Sequence, residues 1–244
     1  MDREEELCDL RESERLTVFI ESRTPALPAP LSELEEKALA ENVPIIRPMT
    51  QNLLLFFMEL NAPRSVLEIG TGVGFSALLM ESALPEGGRI TTIEKDPARA
   101  AEAAEHFRSF GAGPDRIRLI QGDAQEAIEA LAAEEQESCD LIFLDGAKGQ
   151  YIRYLPVLLS LLRTGGVLIT DNILKGGELL DSRYAVTRRN RTIHRRMLEY
   201  LDALCGDPQL RTILLETGDG MAVSVKKNLS EKNEKKTGTS DSRE

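Results

Sequence analysis

The stretch that most constrains the fold runs from Val66 to Ser76 and reads VLEIGTGVGFS. Its apolar start predicts a buried strand, and the apolar residues 77–80 that follow it predict the beginning of a helix. Between the two, Gly70, Gly72 and Gly74 form a loop that lacks side chains at three positions. A ligand can approach such a backbone closely, and the helix N-terminus offers free N–H groups. This order of strand, loop and helix predicts a site for a nucleotide-like ligand.

Two carboxylates accompany the glycine loop. The glycine spacing, G-x-G-x-G, differs from the G-x-G-x-x-G of dinucleotide-binding proteins. Glu68 lies in the end of the strand, where its charge would repel a pyrophosphate but suits a cationic or hydroxyl-rich ligand. Glu94 ends the next apolar run, 89–94, where an acid can accept both ribose hydroxyls. Together these features predict S-adenosylmethionine rather than NAD; the alternative is a tight strand–helix turn with two incidental acids.

Strand and helix patterns alternate from residue 64 onward, which predicts an α/β fold with a mostly parallel sheet and helices on both faces. The predicted strands are 65–69, 89–94, 117–121, 140–144 and 166–170. The predicted helices between and after them are 75–83, 97–110, 124–134, 149–162 and 184–205. Two further runs, 211–215 and 221–225, flank a TGDG turn and predict a hairpin, so that one strand must be antiparallel.

The chain before residue 43 has a different pattern. Residues 16–20 predict a short amphipathic helix that packs on the domain or on a second subunit. Pro25, Pro28 and Pro30 predict an extended linker. Ser32 and Glu35 then match a capping box, which predicts a helix from Ser32 to about Glu41.

A second helix is predicted from Thr50, with Leu53, Leu54, Phe57, Met58 and Leu60 packed towards the sheet. From about residue 227 the chain is polar and almost free of apolar residues, which predicts a disordered tail. The predicted organisation is therefore an N-terminal helical and Pro-rich segment (1–42), an α/β domain with the predicted S-adenosylmethionine site (43–227) and the tail (228–244).

Composition limits the cellular setting. The chain has no run of about 18 apolar residues, which predicts no membrane span. Its acidic N-terminus lacks the layout of a signal peptide. The unpaired spacing of Cys8, Cys139 and Cys205 is typical of a reducing cytoplasm. The net charge of −11 argues against non-specific nucleic-acid binding by the whole surface.

Polar residues follow each predicted parallel strand, at the sheet edge where ligands bind. Asp123 and Ala124 follow the third strand, where Asp123 is placed to face an adenine and to cap the next helix. Asp145 follows the fourth strand, and Asp171 and Asn172 follow the fifth. The last three form an oxygen-only ligand set with two carboxylates, which suits Mg²⁺, Ca²⁺ or Mn²⁺. The alternative is that the aspartates cap helices and Asn172 is a turn residue.

Lys148 lies three residues after Asp145, near the predicted cation site. It is a candidate general base for a substrate proton if the cation lowers the pKa of its amine. A solvated surface side chain is the alternative for a lone lysine.

From Val43 to Lys226 the chain resembles the cation-dependent O-methyltransferases, the family of the catechol and caffeoyl-coenzyme A methyltransferases. Four segments resemble more particularly the bacterial branch that contains tRNA 5-hydroxyuridine methyltransferase. They are VPII at 43–46, LDGAKGQY at 144–151, TDNILKGG at 170–177 and GDGMAVS at 218–224.

The resemblance implies a seven-stranded class I (Rossmann-like) methyltransferase sheet and a homodimer. The residues it implies for S-adenosylmethionine binding are Ile46 (through its backbone), Glu68, Gly70, Gly72, Ser76, Glu94, Asp123, Ala124 and Asp145. It implies Asp145, Asp171 and Asn172 as ligands of Mg²⁺ or another divalent cation, and Lys148 as the catalytic lysine. Gly146 and Ala147 replace larger residues of the catechol enzymes, so we expect a different acceptor pocket.

The expected reaction is methyl transfer from S-adenosylmethionine to a hydroxyl oxygen, with 5-hydroxyuridine of the tRNA anticodon loop as the expected acceptor and 5-methoxyuridine as product. Arg188, Arg189 and Arg191 belong to an arginine run, 183–196, and are candidate RNA phosphate contacts. The alternative for this run is a solvated helix face paired to Glu199 and Asp202. A small hydroxylated aromatic acceptor is the alternative substrate, and a non-enzymatic S-adenosylmethionine-binding protein is the third possibility.

Overall fold

A computed structural model describes residues 15–174, 179, 186–187 and 190–228. Seven strands form one sheet in these residues, in the order β3-β2-β1-β4-β5-β7-β6. They are β1 (Ser65–Ile69), β2 (Arg89–Glu94), β3 (Ile117–Gln121), β4 (Cys139–Leu144), β5 (Leu162–Thr170), β6 (Leu210–Leu215) and β7 (Met221–Lys226). The first five are parallel neighbours, and β7 runs antiparallel to both β5 and β6. The predicted α/β fold and its antiparallel hairpin strand are confirmed.

Seven helices are described completely, and they connect or flank these strands. They are α1 (Ala29–Ala40), α2 (Pro48–Asn61), α3 (Phe75–Ser82), α4 (Pro97–Ser109), α5 (Ala124–Glu134), α6 (Tyr151–Leu161) and α7 (Arg191–Gly206). A short 3-10 turn, Lys148–Gln150, precedes α6. Residues 15–21 are also helical. In the described ranges, no helix is both long and apolar enough to cross a membrane.

Helices cover both faces of the sheet. Successive side chains of each strand point to opposite faces, so that each face has its own apolar core. One core joins Val66, Leu141 and Ile169 to helices α1, α2 and α3. The other joins the oppositely directed side chains, such as Leu67 and Leu168, to helices α5, α6 and α7. The two-sided burial explains why these strands read as continuous apolar runs.

The predicted linker forms at Pro25 and Pro28, which are not helical, but the predictions that it includes Pro30 and that Ser32 caps the next helix are wrong. Helix α1 begins at Ala29, so that Pro30 lies in its first turn, where proline is tolerated because its N–H would be unpaired in any case. Ser32 therefore lies inside the helix, and its hydroxyl donates to the carbonyl of Ala29. Leu31 and Leu34 place α1 in the main core of the domain.

Other boundaries also differ from prediction. Helix α2 begins at Pro48 rather than Thr50, again with proline in the first turn, and Leu60 on it is exposed rather than packed. Helix α7 begins at Arg191, whereas a start at 184 was expected; 186–187 are not helical. The predicted amphipathic helix at 16–20 forms, but its apolar side chains are exposed to solvent. The predicted tail from 229 onward and Cys8 lie outside the described residues.

Candidate active site

A cavity of about 940 Å³ opens at the carboxyl ends of β1, β2, β3, β4 and β5. Its volume lies at the upper end of the range for small-molecule sites and leaves room for two ligands side by side. Predicted site residues in its wall are Ile46, Gly70, Gly72, Ser76, Glu94, Asp123, Ala124, Asp145, Asp171 and Asn172. Of the residues predicted for the cofactor, the cation and catalysis, Glu68 and Lys148 do not line it, and neither does Arg191 of the predicted RNA contacts.

The glycine loop lies on the floor of this cavity. The amide of Gly70 donates to the carbonyl of Ile93 over 3.0 Å, which ties the loop to the end of β2. A Cβ atom on Gly70 would lie 2.0 Å from the backbone oxygen of Asp145, and its φ is +101°, so that only glycine fits. Gly72 has a φ of +54° and open space where a Cβ would lie, which leaves its backbone accessible.

Glu94 fixes the loop from the cavity side. One carboxylate oxygen accepts the amide of Gly72 and the other accepts the amide of Asp96, each over 2.8 Å. The side chain is buried yet lines the cavity. Each carboxylate oxygen keeps a lone pair for a further donor, so a ribose diol can bind there.

Glu68 lies below the loop instead of in the cavity wall. Its side chain is fully buried and accepts the hydroxyls of Ser76 and Thr92, while Thr71 contacts the hydroxyl of Thr92. Burial raises the pKa of the Glu68 carboxyl to about 7, and the two hydroxyl donors only partly offset it. In the described structure Glu68 therefore supports Ser76, which does line the cavity.

The end of β3 supplies a second polar group of the wall. Asp123 caps α5 by accepting the amide of Gln125 over 3.0 Å, as predicted from the sequence, and it forms a 2.9 Å ion pair with Lys95. The Lys95 ammonium lowers the pKa of the Asp123 carboxyl. The side-chain oxygen of Gln125 is buried in the wall without a hydrogen-bond partner among the described residues.

The ends of β4 and β5 bring the predicted cation ligands together. The amide nitrogen of Asn172 donates to Asp145 over 2.7 Å, and the backbone amide of Asn172 donates to Asp171 over 2.6 Å. Burial raises the pKa of both carboxyls, that of Asp171 to about 7. Asn172 has a φ of +61°, a left-handed conformation that asparagine tolerates better than most residues. One buried carboxylate, Asp171, and one half-buried carboxylate, Asp145, in one polar corner are chemically suited to a hard cation.

No group of three or more His, Cys, Asp or Glu side chains suited to a metal occurs in the part of the chain that the structure describes. The Asp145, Asp171 and Asn172 set fits a divalent cation only if water or substrate oxygens complete the coordination. Such a set is typical of a site that binds a substrate oxygen directly. The oxygen donors present therefore fit the predicted cation, with open positions.

Lys148 lies beside this corner, in the 3-10 turn after β4. Burial dominates the raised pKa of Asp145 and of Asp171, and the charge of Lys148 offsets a small part of each rise. The turn is held from α7, because Arg196 donates from Nη1 to the carbonyl of Gly149 over 3.0 Å. Lys148 is thus near the carboxylates without lining the cavity as described.

The opposite wall comes from the extended segment before α2. The carbonyl of Ile46 accepts the side-chain amide of Gln51 over 2.9 Å, and Gln51 also donates to Glu35 of α1. Arg47 forms a 3.1 Å ion pair with Asp219 of the turn between β6 and β7. This pair connects two segments of the cavity rim that lie far apart in sequence.

The arginine run is described only in part. Arg188 and Arg189 lie outside the described residues. Arg191 donates to the carbonyl of Val186, and Arg195 pairs with Glu199 over 2.6 Å on an exposed helix face. The pairing with Glu199 is the one expected for a solvated helix face, and it concerns Arg195 alone.

Sequence reasoning missed several wall residues: Thr50, Lys95, Gln125, Arg153, Tyr154 and Asp219. The sequence could have indicated Gln125 as a wall residue, because it directly follows Asp123 and Ala124 at the end of a predicted strand. It could have indicated Asp219 as well, because Asp219 lies in the predicted hairpin turn. No local sequence pattern indicated Thr50, because its place in the wall depends on the long-range packing of α2. Its hydroxyl is buried without a partner among the described residues.

Comparison with known proteins decides the family. The sequence model of a family described as O-methyltransferase matches residues 23–227. The chain belongs to this O-methyltransferase family. The match includes α1, which the predicted domain boundary at residue 43 leaves out.

Curated relatives of the family support the same assignment. A Mycolicibacterium vanbaalenii protein named as an O-methyltransferase is 32% identical over 196 residues, which cover 78% of this chain and 81% of the relative. The tapetum-specific methyltransferase 1 of Arabidopsis thaliana is 30% identical over 177 residues, 72% of this chain and 76% of the relative. This O-methyltransferase is therefore an enzyme of methyl transfer to oxygen.

Solved structures confirm the fold of this O-methyltransferase. The SAH-bound methyltransferase PaMTH1 of Podospora anserina superposes with a TM-score of 0.77 at 25% identity, over 89% of this chain and 96% of that one. A Staphylococcus aureus structure named as a caffeoyl-CoA O-methyltransferase superposes with a TM-score of 0.76 at 27% identity, over 88% and 99%. Both share the seven-stranded architecture described above.

Proposed function

We propose that this O-methyltransferase transfers a methyl group from S-adenosylmethionine to a hydroxyl oxygen, with a divalent cation at Asp145, Asp171 and Asn172. The observation that carries the proposal is the cavity itself. On its floor lie the glycine loop and Glu94, and at one corner lie the carboxylates of Asp145 and Asp171. The SAH-bound relative with the same fold supports the choice of methyl donor.

The charge of the cavity wall supports these ligands. Among its residues are seven carboxylates and four lysine or arginine side chains, so that seven minus four leaves a net charge of −3. Such a wall favours the sulfonium of S-adenosylmethionine and a divalent cation, and it disfavours a phosphate. The side-chain oxygens of Gln125 and Thr50, which have no hydrogen-bond partner in the described part of the chain, are two further polar atoms that a bound ligand can satisfy.

The chain's own residues divide the work of the reaction. Glu94 and the backbone of Gly72 bind and orient the methyl donor. Asp145, Asp171 and Asn172 would hold the cation at the place where the acceptor hydroxyl binds. A bound Mg²⁺ supplies Lewis-acid stabilisation of the ionised hydroxyl. Lys148, beside the carboxylates, takes the hydroxyl proton. Orientation of the two reactants in one cavity supplies much of the remaining rate enhancement.

For the acceptor we propose 5-hydroxyuridine in the anticodon loop of tRNA. The support is the resemblance of the segments 43–46, 144–151, 170–177 and 218–224, together with the arginine run. Its 4-carbonyl and 5-hydroxyl lie on neighbouring carbons and can chelate one cation. Because the acidic wall disfavours phosphate, only the base would enter, splayed from a single-stranded loop. The phosphates would stay outside, near the arginine run.

A small catechol or phenol is the second candidate acceptor. It is favoured by the caffeoyl-CoA O-methyltransferase name of the Staphylococcus aureus structure. It is also favoured by the Arg195–Glu199 pair, which engages one arginine of the run within the protein. One experiment separates the two candidates. The protein is incubated with labelled S-adenosylmethionine and Mg²⁺, and with either tRNA lacking the 5-methoxy group or a catechol panel. We expect label in tRNA, at 5-methoxyuridine after nuclease digestion. Label in catechols alone would favour the small-molecule function.

We also propose a homodimer. Its support is the exposed apolar surface of the described N-terminal helix, where Leu16, Val18 and Phe19 are all more than half exposed. Light scattering after size-exclusion chromatography tests it, and a monomer mass would contradict it.

A further inference from the structure

A buried tyrosine lies directly behind Asp145. The hydroxyl of Tyr151 accepts the backbone amide of Gly146 over 3.0 Å and donates to the carbonyl of the same residue over 3.3 Å. Gly146 is the residue after Asp145, so both backbone polar groups next to this carboxylate are held by one phenol. The Tyr151 side chain is fully buried and belongs to no step of the proposed reaction.

A second buried tyrosine lies behind Asp171. The hydroxyls of Tyr200 and Thr170 lie 2.6 Å apart, and Thr170 is the last residue of β5, immediately before Asp171. Both side chains are fully buried. Tyr200 comes from α7, whereas Thr170 comes from the sheet, so this bond ties the helix to the strand end that carries the second carboxylate.

The two tyrosines also contact each other. Their rings pack edge to face, with centroids 5.5 Å apart and an interplanar angle of 64°. Burial raises the pKa of both phenols above the ordinary value, so both keep the proton with which they hydrogen-bond. The ring pair therefore forms one rigid connection between the ends of β4 and β5, whose residues Leu144 and Thr170 are register partners.

We infer that Tyr151 and Tyr200 are positioning residues that hold Asp145 and Asp171 at a separation suited to a divalent cation. The inference rests on the proposed function, since it assigns these carboxylates to the cation. Two neighbouring carboxylates that are shielded from solvent repel each other when both are ionised, and a flexible corner would relieve that repulsion by moving them apart. The tyrosine pair opposes this movement, because each hydroxyl is bonded to the residue next to one carboxylate. Outer partners of this kind orient metal ligands and affect metal affinity.

The test measures Mn²⁺ affinity rather than turnover. The full chain with bound SAH is titrated with Mn²⁺, and free Mn²⁺ is followed by its electron paramagnetic resonance signal. The variants are Tyr200→Phe, Thr170→Val, their double variant and Tyr151→Phe. Loss of an outer partner of a metal ligand typically weakens metal binding by about 10- to 100-fold. We expect each single variant to bind Mn²⁺ roughly 10-fold more weakly, at the lower end of this range. The double variant should be no weaker than Tyr200→Phe, because both changes remove the same bond.

Thr212→Val is the matched control. Thr212 donates to the carbonyl of Leu204 over 3.0 Å and so also ties α7 to the sheet, but at the edge strand β6, which β7 separates from β5. We expect a lower unfolding temperature with wild-type Mn²⁺ affinity. Wild-type affinity in Tyr200→Phe, or equal weakening in Thr212→Val, would overturn the positioning role while the proposed function stands. A wild-type protein that binds no Mn²⁺ would overturn the cation in the proposed function and the inference with it.

Discussion

The side-chain amide of Asn172 donates to the carboxylate of Asp145 over 2.7 Å, although the two residues are 27 positions apart. The bond joins the ends of two parallel strands, and it places an amide and two carboxylates in one corner of the cavity. Every proposal about the acceptor depends on this corner. The first prediction therefore concerns a residue of this corner.

Asp171→Ala should abolish methyl transfer while SAH binding survives. The substitution removes one of the two carboxylates of the proposed cation set, whereas the glycine loop and Glu94 that hold the donor remain intact. Activity is measured by transfer of labelled methyl, and SAH binding by calorimetry. Wild-type enzyme in excess chelator should likewise lose activity. Full turnover with chelator present would contradict the cation assignment.

Glu94→Ala should weaken S-adenosylmethionine binding by roughly 1–3 kcal/mol, the usual penalty for hydrogen-bonding groups left without a charged partner. Affinity is lost in two ways. The donor loses its carboxylate partner, and the glycine loop loses the bond from the amide of Gly72 to Glu94. Glu105→Ala is the control, because Glu105 is an exposed residue of α4 that pairs only with Arg108 among the described contacts. Calorimetric affinity equal to that of the control would show that Glu94 does not bind the donor.

Glu68 should make the folded protein less stable as the pH rises from about 4.5 to about 7. Burial raises the pKa of its carboxyl from an ordinary 4.5 to about 7. Between these values the folded state keeps a proton that the unfolded state has released, so the free energy of unfolding falls as pH rises through this window.

The variant Glu68→Gln isolates this effect, because glutamine has no proton to lose. The unfolding free energy of Glu68→Gln minus that of wild type should rise from pH 4.5 to 7 and then level off. The total rise should be roughly 3 kcal/mol, the equivalent of a shift of about 2.5 pKa units. Urea unfolding at five pH values measures it, and a difference that does not vary with pH would contradict the buried, protonated carboxyl.

Arg196→Met should lower kcat with little change in SAH affinity. Arg196 holds the turn that carries Lys148, through its bond to the carbonyl of Gly149. A small displacement of a catalytic group reduces the rate, here by roughly 10- to 100-fold. Arg195→Met is a matched control, because the neighbouring Arg195 forms an exposed pair with Glu199 that contributes little. Equal kinetics of the two variants would contradict a role of Arg196 at the turn.

The sequence predicted the parallel strands well, because strands buried on both faces read as uninterrupted apolar runs between turn residues. It also placed Glu94, Asp145 and Asp171 at one edge of the sheet, because the carboxyl ends of parallel strands share an edge. It failed at Ser32, where the residues of a capping box lie inside a helix that begins earlier, at Ala29, with Pro30 in its first turn. The local sequence pattern favoured a helix cap at Ser32. The helix begins earlier instead, and its residues Leu31 and Leu34 pack in the core.

The parts of the site that sequence reasoning missed depend on contacts between distant residues. Arg47 pairs with Asp219, and Tyr200 contacts Thr170, although neither pair has a local spacing rule. Glu68 shows the converse case. Its position in the strand predicted a residue near the ligand, but the alternation of side chains along β1 placed its carboxylate beneath the loop, among hydroxyls.

Replacing Arg188, Arg189 and Arg191 by alanine should raise the apparent Michaelis constant for tRNA and leave a free 5-hydroxyuridine nucleoside, if turned over, little affected. The reason is that phosphate contacts position a nucleic acid, whereas the cation corner and Lys148 act on the base. Each lost contact should also reduce the salt dependence, by about 0.7 in the slope of log K against log salt on single strands.

The control for this triple variant removes equal charge elsewhere. Arg64, Arg89 and Arg211 are exposed near the amino ends of β1, β2 and β6, at the edge of the sheet opposite the cavity. Their replacement by alanine changes the net charge of −11 by the same amount, so general electrostatic repulsion of tRNA rises equally in both variants. If both triple variants have the same Michaelis constant and salt slope, the arginine run is a solvated surface and the RNA lies elsewhere. A higher Michaelis constant and a flatter salt slope in the first variant alone would place the tRNA backbone at the arginine run, beside the acidic cavity that accepts only the base.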